Sequence, residues 1–453
     1  MTTGLIAAPI HSCDLDRMMT SPPTPINGKL VRSVGLWGLT AMVFNGLIGA
    51  GIFGLPASLA NTSGSWAPLI VVIVGLAMLP IVLVVARLAG RFDGTGGPIE
   101  YVDAAFGKTA AFQIGWMQLL STTASAAANV NLLADYALRG WGPADAGPTV
   151  HAAVVLAALS LIFIVNLNRT NGVARTLELL SIAKLGPLLL LILLALPIIA
   201  GNGGAVHPAT QWSPSEAALL SAYAFTGFEG ALTIAGEARD PKHDFPRALV
   251  IVFAGVGLVY ALLVWAYLAT AYVPGAVDKA PLSSAATVLM GAAGAILLLA
   301  TATLSIFGNV INNMLFLSRR LLALEALGGL PVWLGRVHIG SAVPRNAVIF
   351  IMAVLVALSL SGGFAALAIL SVASRLVVYL GCIAALPVIE RRDGRPASLA
   401  GNAAIVAAAA TCIALIASSE AKSWLSLIVA ALVGAIIFSA TRAYRLRAAP
   451  ATG

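Results

Sequence analysis

Residues 34–59 form an apolar stretch that is long enough to cross a membrane but has a poor helix-forming centre. A spanning helix needs about 20 apolar residues. The stretch reads VGLWGLTAMVFNGLIGAGIFGLPASL, and its residues 46–56 include Gly46, Gly49, Gly51, Gly54 and Pro56. An interior glycine costs about 1 kcal/mol relative to alanine, and proline removes a backbone donor. A helix broken at membrane depth needs protein or a water-filled cavity around its freed backbone groups. The stretch therefore predicts an interrupted helix.

The composition places this helix in a polytopic membrane protein. Hydrophobic residues make up 59% of the chain and charged residues only 10%, with a mean hydropathy of +0.95. Soluble domains carry about 25% charged residues. The apolar runs predict an all-α protein with twelve spans. Their ranges are 34–59, 67–90, 105–137, 150–168, 173–200, 214–238, 247–272, 286–318, 345–361, 364–388, 401–418 and 423–442.

The basic residues predict the orientation of these spans. With the N-terminus inside, 21 of the 26 lysines and arginines fall in inner segments, three fall in outer loops, and Lys184 and Arg375 lie inside spans. This asymmetry predicts a multi-pass protein of a bacterial-type inner membrane with both termini in the cytoplasm. It also accounts for the net charge of +8 without a nucleic-acid partner.

The sequence does not predict an enzyme, a metal site or an organic cofactor. The three cysteines are far apart in the chain, and the five histidines lie in predicted tails or loops. Catalysis inside a membrane would need a converging set of such side chains. Residues 1–33 are polar and proline-containing, so we interpret them as a cytoplasmic tail and not as a cleavable signal.

A second predicted interruption lies in the sixth span. Residues 214–238 contain Gly227 and Gly230 on either side of Glu229, about as deep in this span as Gly49 is in the first. Two five-helix units would insert in opposite directions, and paired broken helices in an inverted repeat indicate a transporter. The predicted units are a first repeat (34–200), a second repeat (201–390), helices 11 and 12 (391–443) and a C-terminal tail (444–453).

Several motifs resemble those of the amino acid–polyamine–organocation (APC) superfamily. They are GAGIFG at 49–54, AFTGFE at 224–229, EARDPKHDFPRAL at 237–249, SRRLLALEALGGLP at 318–331 and VPRNA at 343–347. The family often has Ala-Arg-Asp-Gly where this chain has EALG at 325–328. The resemblance implies a LeuT-type 5+5 fold with discontinuous helices 1 and 6, which transports amino acids or related amines by alternating access.

The two breaks suit a zwitterionic ligand. A half-helix N-terminus binds a carboxylate, and half-helix carbonyls bind an ammonium group. The amides of Gly49, Ala50 and Gly51 are predicted to bind the carboxylate. The other predicted substrate-binding positions are carbonyls near Gly46, Phe225 and Thr226, the flexible Gly227, and Phe228 or Phe225 as an aromatic gate.

Two ionisable residues in predicted spans are candidates for coupling to protons. Lys184 lies inside the fifth span, where a charge is costly and burial favours the neutral amine. The resemblance implies that Lys184 replaces a sodium ion and contacts first-helix carbonyls; a bracing lysine is the alternative. Glu229 is either a proton sensor or an acceptor of hydrogen bonds from the unwound backbone.

Other polar residues in the spans have less specific predictions. Arg375 stays charged and is expected to pair with an acid, with Glu229 as the candidate, in preference to contacting the substrate. Asn129, Ser305 and Asn309 are possible cavity-lining residues, although hydrogen bonding between helices is the commoner role for such residues. Asn131 belongs to the same group.

The sequence thus predicts a proton-coupled importer of an amino acid, with the proton as coupling ion. The alternatives are an amino acid/amine exchanger of the same fold and a non-transporting membrane receptor. The lack of a dedicated acidic side chain for a basic substrate, apart from Glu229, favours a small or neutral amino acid.

Overall fold

The protein is all-helical throughout the part of the chain that the structure describes. The computed structural model describes residues 35–49, 51–92, 96–142, 147–167, 184–201, 207–229, 244–335, 345–394 and 398–448. Its helices are α1 (Leu36–Leu47), α2 (Gly51–Ser63), α3 (Ala67–Ala89), α4 (Pro98–Phe106), α5 (Lys108–Trp141), α6 (Pro148–Leu167), α7 (Leu185–Gly201), α8 (Pro214–Ala224), α9 (Asp244–Thr270), α10 (Pro281–Ala326), α11 (Val332–Gly335), α12 (Arg345–Ser361), α13 (Phe364–Arg392), α14 (Leu399–Ala417) and α15 (Ala421–Ala448).

The lengths and hydropathies of these helices fit a polytopic membrane protein. Among the described residues, seven helical segments are long and apolar enough to cross a membrane, and α7 and α12 are shorter apolar helices. One of the seven comprises α2 and α3, which are joined by a short 3₁₀ turn at Gly64–Trp66. The count of twelve spans and the inverted repeat remain predictions.

The third predicted span, 105–137, is wrong at its start. Gly107 has a φ of 84° and separates the short helix α4 from the long helix α5. This left-handed conformation is one that glycine adopts without the steric cost of a Cβ atom. The predicted span ran across this turn because the residues on both sides of it, 104–106 and 110–112, are apolar.

Three other helices run past their predicted ends at one end of the bundle. α10 continues to Ala326, α13 to Arg392 and α15 to Ala448, each beyond the apolar run that predicted it. The proposed boundary between residues 390 and 391 therefore falls inside α13, and residues 444–448 are helical, not a tail. Polar residues end an apolar run, but they are compatible with a helix that continues into solvent.

The core of the bundle forms where α5 packs between α10 and α13, and α3 packs against α9. Small residues permit this packing. A Cβ atom on Gly115 of α5 would lie 2.6 Å from the Leu324 side chain, and one on Gly381 of α13 would lie 2.6 Å from Ile114.

Charged side chains join the helices at one end of the bundle, which we call the basic end and define by Arg87, Arg91, Glu390 and Arg392. Oε1 of Glu390, whose side chain is 3% exposed, lies 2.5 Å from Arg87 Nη2 and 2.8 Å from Arg91 Nη2. Arg392 donates to the carbonyls of Ala104 and Ala105 at the end of α4. The buried carboxylate therefore ties α3 to α13.

Replacing this carboxylate is expected to destabilise the protein. Glu390→Gln removes the charge that faces two arginines, and hydrogen bonds to charged groups contribute about 2 kcal/mol each. We expect a lower midpoint of thermal denaturation in detergent. Asp393→Asn is the control, because the Asp393 carboxylate also contacts Arg91 but is 47% exposed, and exposed ion pairs contribute about 0–1 kcal/mol. Equal midpoints for the two variants would contradict the role given to Glu390.

Candidate functional site

The first interruption lies between α1 and α2. Ile48 has φ −74° and ψ 76°, which is not helical, and α2 begins at Gly51. The Gly49 N–H donates to the Leu47 carbonyl over 2.7 Å, so the structure already uses one of the predicted carboxylate donors. Ala50 lies outside the described residues, and Gly46 lies in the last turn of α1. Gly51 keeps its predicted place at a helix N-terminus, where the first amides have no intrahelical acceptor.

Lys184 contacts this interruption. Its side-chain amine donates a hydrogen bond to the carbonyl of Ile48, and the residue is only 5% exposed. We predicted a carbonyl near Gly46, and the observed acceptor lies two residues further along the chain. This carbonyl belongs to the C-terminal cap of α1, where the helix dipole favours a positive charge.

A chain of polar side chains lies against the same break. Asn129 donates to Asn309 Oδ1 over 2.9 Å and accepts from the Tyr223 hydroxyl over 3.0 Å. The Ser125 hydroxyl lies 3.0 Å from that of Tyr223, and Asn313 donates to Asn309 Oδ1 over 3.0 Å. The network joins α5, α8 and α10.

Two glycines allow this network to approach the backbone closely. A Cβ atom on Gly49 would lie 3.3 Å from Asn309 Nδ2, and one on Gly51 would lie 3.2 Å from the Tyr223 ring. Both distances are tighter than ordinary van der Waals contact. Gly49 and Gly51 therefore do more than weaken a helix. Because they lack a Cβ atom, the Asn309 amide and the Tyr223 ring can lie directly against the break.

The second interruption follows α8. The helix ends at Ala224, and Phe225, its C-cap, has φ −97° and ψ 8°. Thr226 donates from its hydroxyl to the Tyr223 carbonyl over 2.8 Å. Gly227 has a φ of 107°, a conformation that favours glycine. Gly230 and the remainder of the predicted sixth span lie outside the described residues.

The two phenylalanines predicted as gate candidates have different surroundings. Phe225 is fully buried, its ring stacks on that of Phe253 with centroids 5.5 Å apart, and it packs against Gly75. Phe228 is also buried, but its ring stacks on Tyr379 at 5.5 Å. Phe225 thus packs between helices, whereas Phe228 adjoins the polar residues of the break. Of the two, Phe228 remains the gate candidate.

Glu229 accepts hydrogen bonds at this second break. The Gly227 N–H donates to Glu229 Oε2 over 3.0 Å, and the Tyr379 hydroxyl donates to Oε1. Arg375 Nε lies 3.6 Å from the same Oε1 and donates to the Ser121 hydroxyl over 2.9 Å. The predicted pairing of Arg375 with Glu229 is therefore present, and the carboxylate also binds the unwound backbone.

Arg320 lies in α10, two residues past the predicted end of the eighth span at residue 318. Its Nη1 donates to the Gln118 carbonyl over 3.0 Å and to the Thr122 hydroxyl. Ser121, which accepts from Arg375, occupies the same turn of α5. The two arginines therefore bind α5 from two neighbouring helices.

The other predicted cavity residues are less closely connected. The buried Ser305 hydroxyl has no hydrogen-bond partner among the described residues. Asn131 donates to the Ser359 carbonyl over 3.0 Å, so it joins α5 to α12 as predicted for such residues.

Tyr223 and Tyr379 were not predicted from the sequence. Tyr379 follows Arg375 by four residues, and that helical spacing was the available signal.

The packing of Phe225 gives a matched pair of substitutions. A Cβ atom on Gly75 would lie 2.5 Å from the Phe225 ring, and one on Gly257 would lie 3.5 Å from the same ring. We expect Gly75→Ala to displace the ring and cost about 1–3 kcal/mol, as overpacking does. Gly257→Ala should be neutral or stabilising, because alanine is the better helix former. Thermal denaturation in detergent measures both, and a stable Gly75→Ala variant would contradict the packing described.

Comparisons with known proteins show the family of the chain. The family model described as amino acid permease matches residues 34–439. An uncharacterised transporter of Mycobacterium tuberculosis H37Rv is 29% identical over 418 residues, covering 88% of this chain and 90% of that protein. The L-methionine/branched-chain amino acid exporter of Escherichia coli K12 is 28% identical over 248 residues, covering 51% of this chain and 55% of that protein.

The large neutral amino acids transporter small subunit 2 of Oryctolagus cuniculus is 28% identical over 344 residues, covering 71% of this chain and 63% of that protein. The family match covers most of the chain and agrees with the resemblance found in the sequence motifs. The chain belongs to the amino acid permease family of the APC superfamily.

Proposed function

We propose that the protein imports an amino acid by alternating access in symport with protons. The observation that carries the proposal is the hydrogen bond from the buried Lys184 amine to the Ile48 carbonyl. A protonated lysine in that place binds the break through a charge-assisted hydrogen bond, and the neutral amine binds the same carbonyl more weakly. Proton binding and the geometry of the first break would thereby be linked.

The proposed substrate site lies between the two breaks. The N-terminus of α2 supplies amides for the carboxylate, and the non-helical segment at Phe225 and Thr226 supplies carbonyls for the amine. The Asn309 amide nitrogen lies next to Gly49 and adds a donor. Two relatives are named for methionine, branched-chain or large neutral amino acids, which supports a neutral amino acid as substrate.

The charge distribution of the sequence supports the orientation that this mechanism uses. We propose that the basic end faces the cytoplasm, that both termini lie there, and that the protein resides in the plasma membrane. The 12-span LeuT-type arrangement is part of the same proposal. It is supported by the two interruptions, which begin at Ile48 and Phe225.

Substitution of Lys184 tests the coupling. In proteoliposomes with an imposed inward proton gradient, Lys184→Ala and Lys184→Gln should lose uphill uptake because no titratable group remains on the Ile48 carbonyl. Lys422→Gln is the control, since Lys422 is exposed in the first turn of α15. Uphill uptake by either Lys184 variant, at the rate of the parent protein, would remove the coupling role.

Glu229→Gln tests how the second break is held. We expect the glutamine to keep substrate affinity within about fivefold, because its amide oxygen still accepts from Gly227 or Tyr379 and the loss of the other neutral hydrogen bond costs about 1 kcal/mol. Glu229→Ala loses both hydrogen bonds and should bind substrate about 25-fold more weakly. The measurement is substrate binding at several pH values. If Glu229→Gln binds normally but loses the pH dependence, Glu229 is a proton sensor.

Exchange or export is the second candidate. The Escherichia coli relative is named as an exporter, and an amino acid/amine exchanger is the alternative that the sequence leaves open. Proteoliposomes that require internal substrate for uptake, and do not respond to a pH gradient, would favour exchange over symport. Ligand binding without any flux would instead indicate a receptor.

A further inference from the structure

A cavity of about 330 Å³ lies at the basic end and apart from both breaks. It forms between the start of α5, the end of α10 and the last turns of α15. Its lining combines basic and apolar side chains. The lining residues are Lys108, Leu327, Gly328, Phe438, Arg442 and Arg445.

The charges of this cavity are only partly balanced. Arg445 Nη2 lies 2.7 Å from Glu325 Oε1 and donates to the Leu330 carbonyl over 2.8 Å. Its buried Nε has no hydrogen-bond partner among the described residues. Within the same part of the chain, Lys108 and Arg442 form no ion pair with any acid. The cavity therefore has two cations in excess.

The N-terminus of α5 adds to this positive potential. Lys108 is the first residue of this 34-residue helix, and its N-cap, Gly107, provides no side-chain hydrogen bond. The first amides of an uncapped helix attract anions, and phosphate groups in particular. The helix end and the side-chain cations thus favour the same kind of ligand.

The lining also has an apolar part, and the helix that carries Phe438 has exposed apolar side chains on another face. Phe438 packs on Phe112 with ring centroids 4.9 Å apart, and it forms an apolar wall beside the cations. On the same helix, Leu432 is 58% exposed and Ile436 is 66% exposed. In a membrane protein such an exposed apolar surface contacts acyl chains. A ligand here would have an anionic head and a hydrocarbon tail.

We propose that this cavity binds the phosphate headgroup of an anionic phospholipid, with Lys108 and Arg442 as its free cations. Basic pockets between helices at the cytoplasmic side of membrane proteins suit such headgroups. The helix N-terminus contacts the phosphate oxygens, and the acyl chains lie along α15. The site is independent of the transport cycle proposed above.

Native mass spectrometry of the purified full chain tests the site, with phosphatidylglycerol and phosphatidylcholine of identical acyl chains as probes. We expect phosphatidylglycerol to be retained preferentially. The double variant Lys108→Gln/Arg442→Gln should retain it about 25-fold less, because each cation near an anionic headgroup contributes about fivefold. Arg447→Gln is the matched control, since Arg447 is exposed on the same helix but does not line the cavity.

The outcomes that overturn the proposal are distinct. Equal retention of the two lipids by the parent protein removes the headgroup specificity. If the double variant and Arg447→Gln lose phosphatidylglycerol retention equally, the binding depends on general surface charge and not on this cavity. A third arm adds glycerol 3-phosphate to lipid-free protein. If it raises the thermal midpoint as much as phosphatidylglycerol does, the site binds a free phosphate and not a lipid. If the double variant does not fold, the single variants Lys108→Gln and Arg442→Gln are compared with Arg447→Gln instead. Each should then retain phosphatidylglycerol about fivefold less than the control.

Discussion

The structure depends on satisfying backbone groups where two helices stop inside an apolar bundle. Water is scarce there, so each freed N–H or carbonyl needs a protein partner. At the first break the Ile48 carbonyl accepts from Lys184, and at the second the Gly227 N–H donates to Glu229. The two ionisable side chains nearest the breaks thus have a structural role, whatever else they do. Lys184 and Glu229 carry opposite charges, as do the two ends of a zwitterionic ligand.

Tyr223 connects the two breaks. It lies in the last turn of α8, its hydroxyl donates to Asn129, and its ring packs on Gly51 at the start of α2. If α2 shifts, it therefore pushes against Tyr223, which belongs to the helical turn just before Phe225. Energetic coupling between two sites needs a physical element that both sites bias. Here one tyrosine contacts both, and the hydrogen bonds of Asn309 and Asn313 extend the network to α10.

The sequence was sufficient for the breaks and for most helix positions, because glycine clusters and apolar runs are local signals. The pairing of Arg375 with Glu229 also followed from charge, since the sequence offered few acids at that depth. Features that depend on three-dimensional approach were missed. The partners of Arg320 and the role of Tyr223 require knowledge of which helices are neighbours, whereas the turn at Gly107 is a local feature. The apolar runs also underestimated the lengths of α10, α13 and α15. An apolar run indicates the part of a helix inside the membrane, whereas the helix itself can extend beyond it.

The setting of Phe225 constrains how the molecule can change shape. Its ring fills the space that Gly75 of α3 and Gly257 of α9 leave open, and it stacks on Phe253. Because the Phe225 ring lies between the backbones of α3 and α9, it opposes sliding of α8 along either helix. Rotation about the end of α8 would therefore carry α3 and α9 with it as one body. That body contacts α2, α13 and α14 most extensively, so relative motion in the bundle would take place at those contacts.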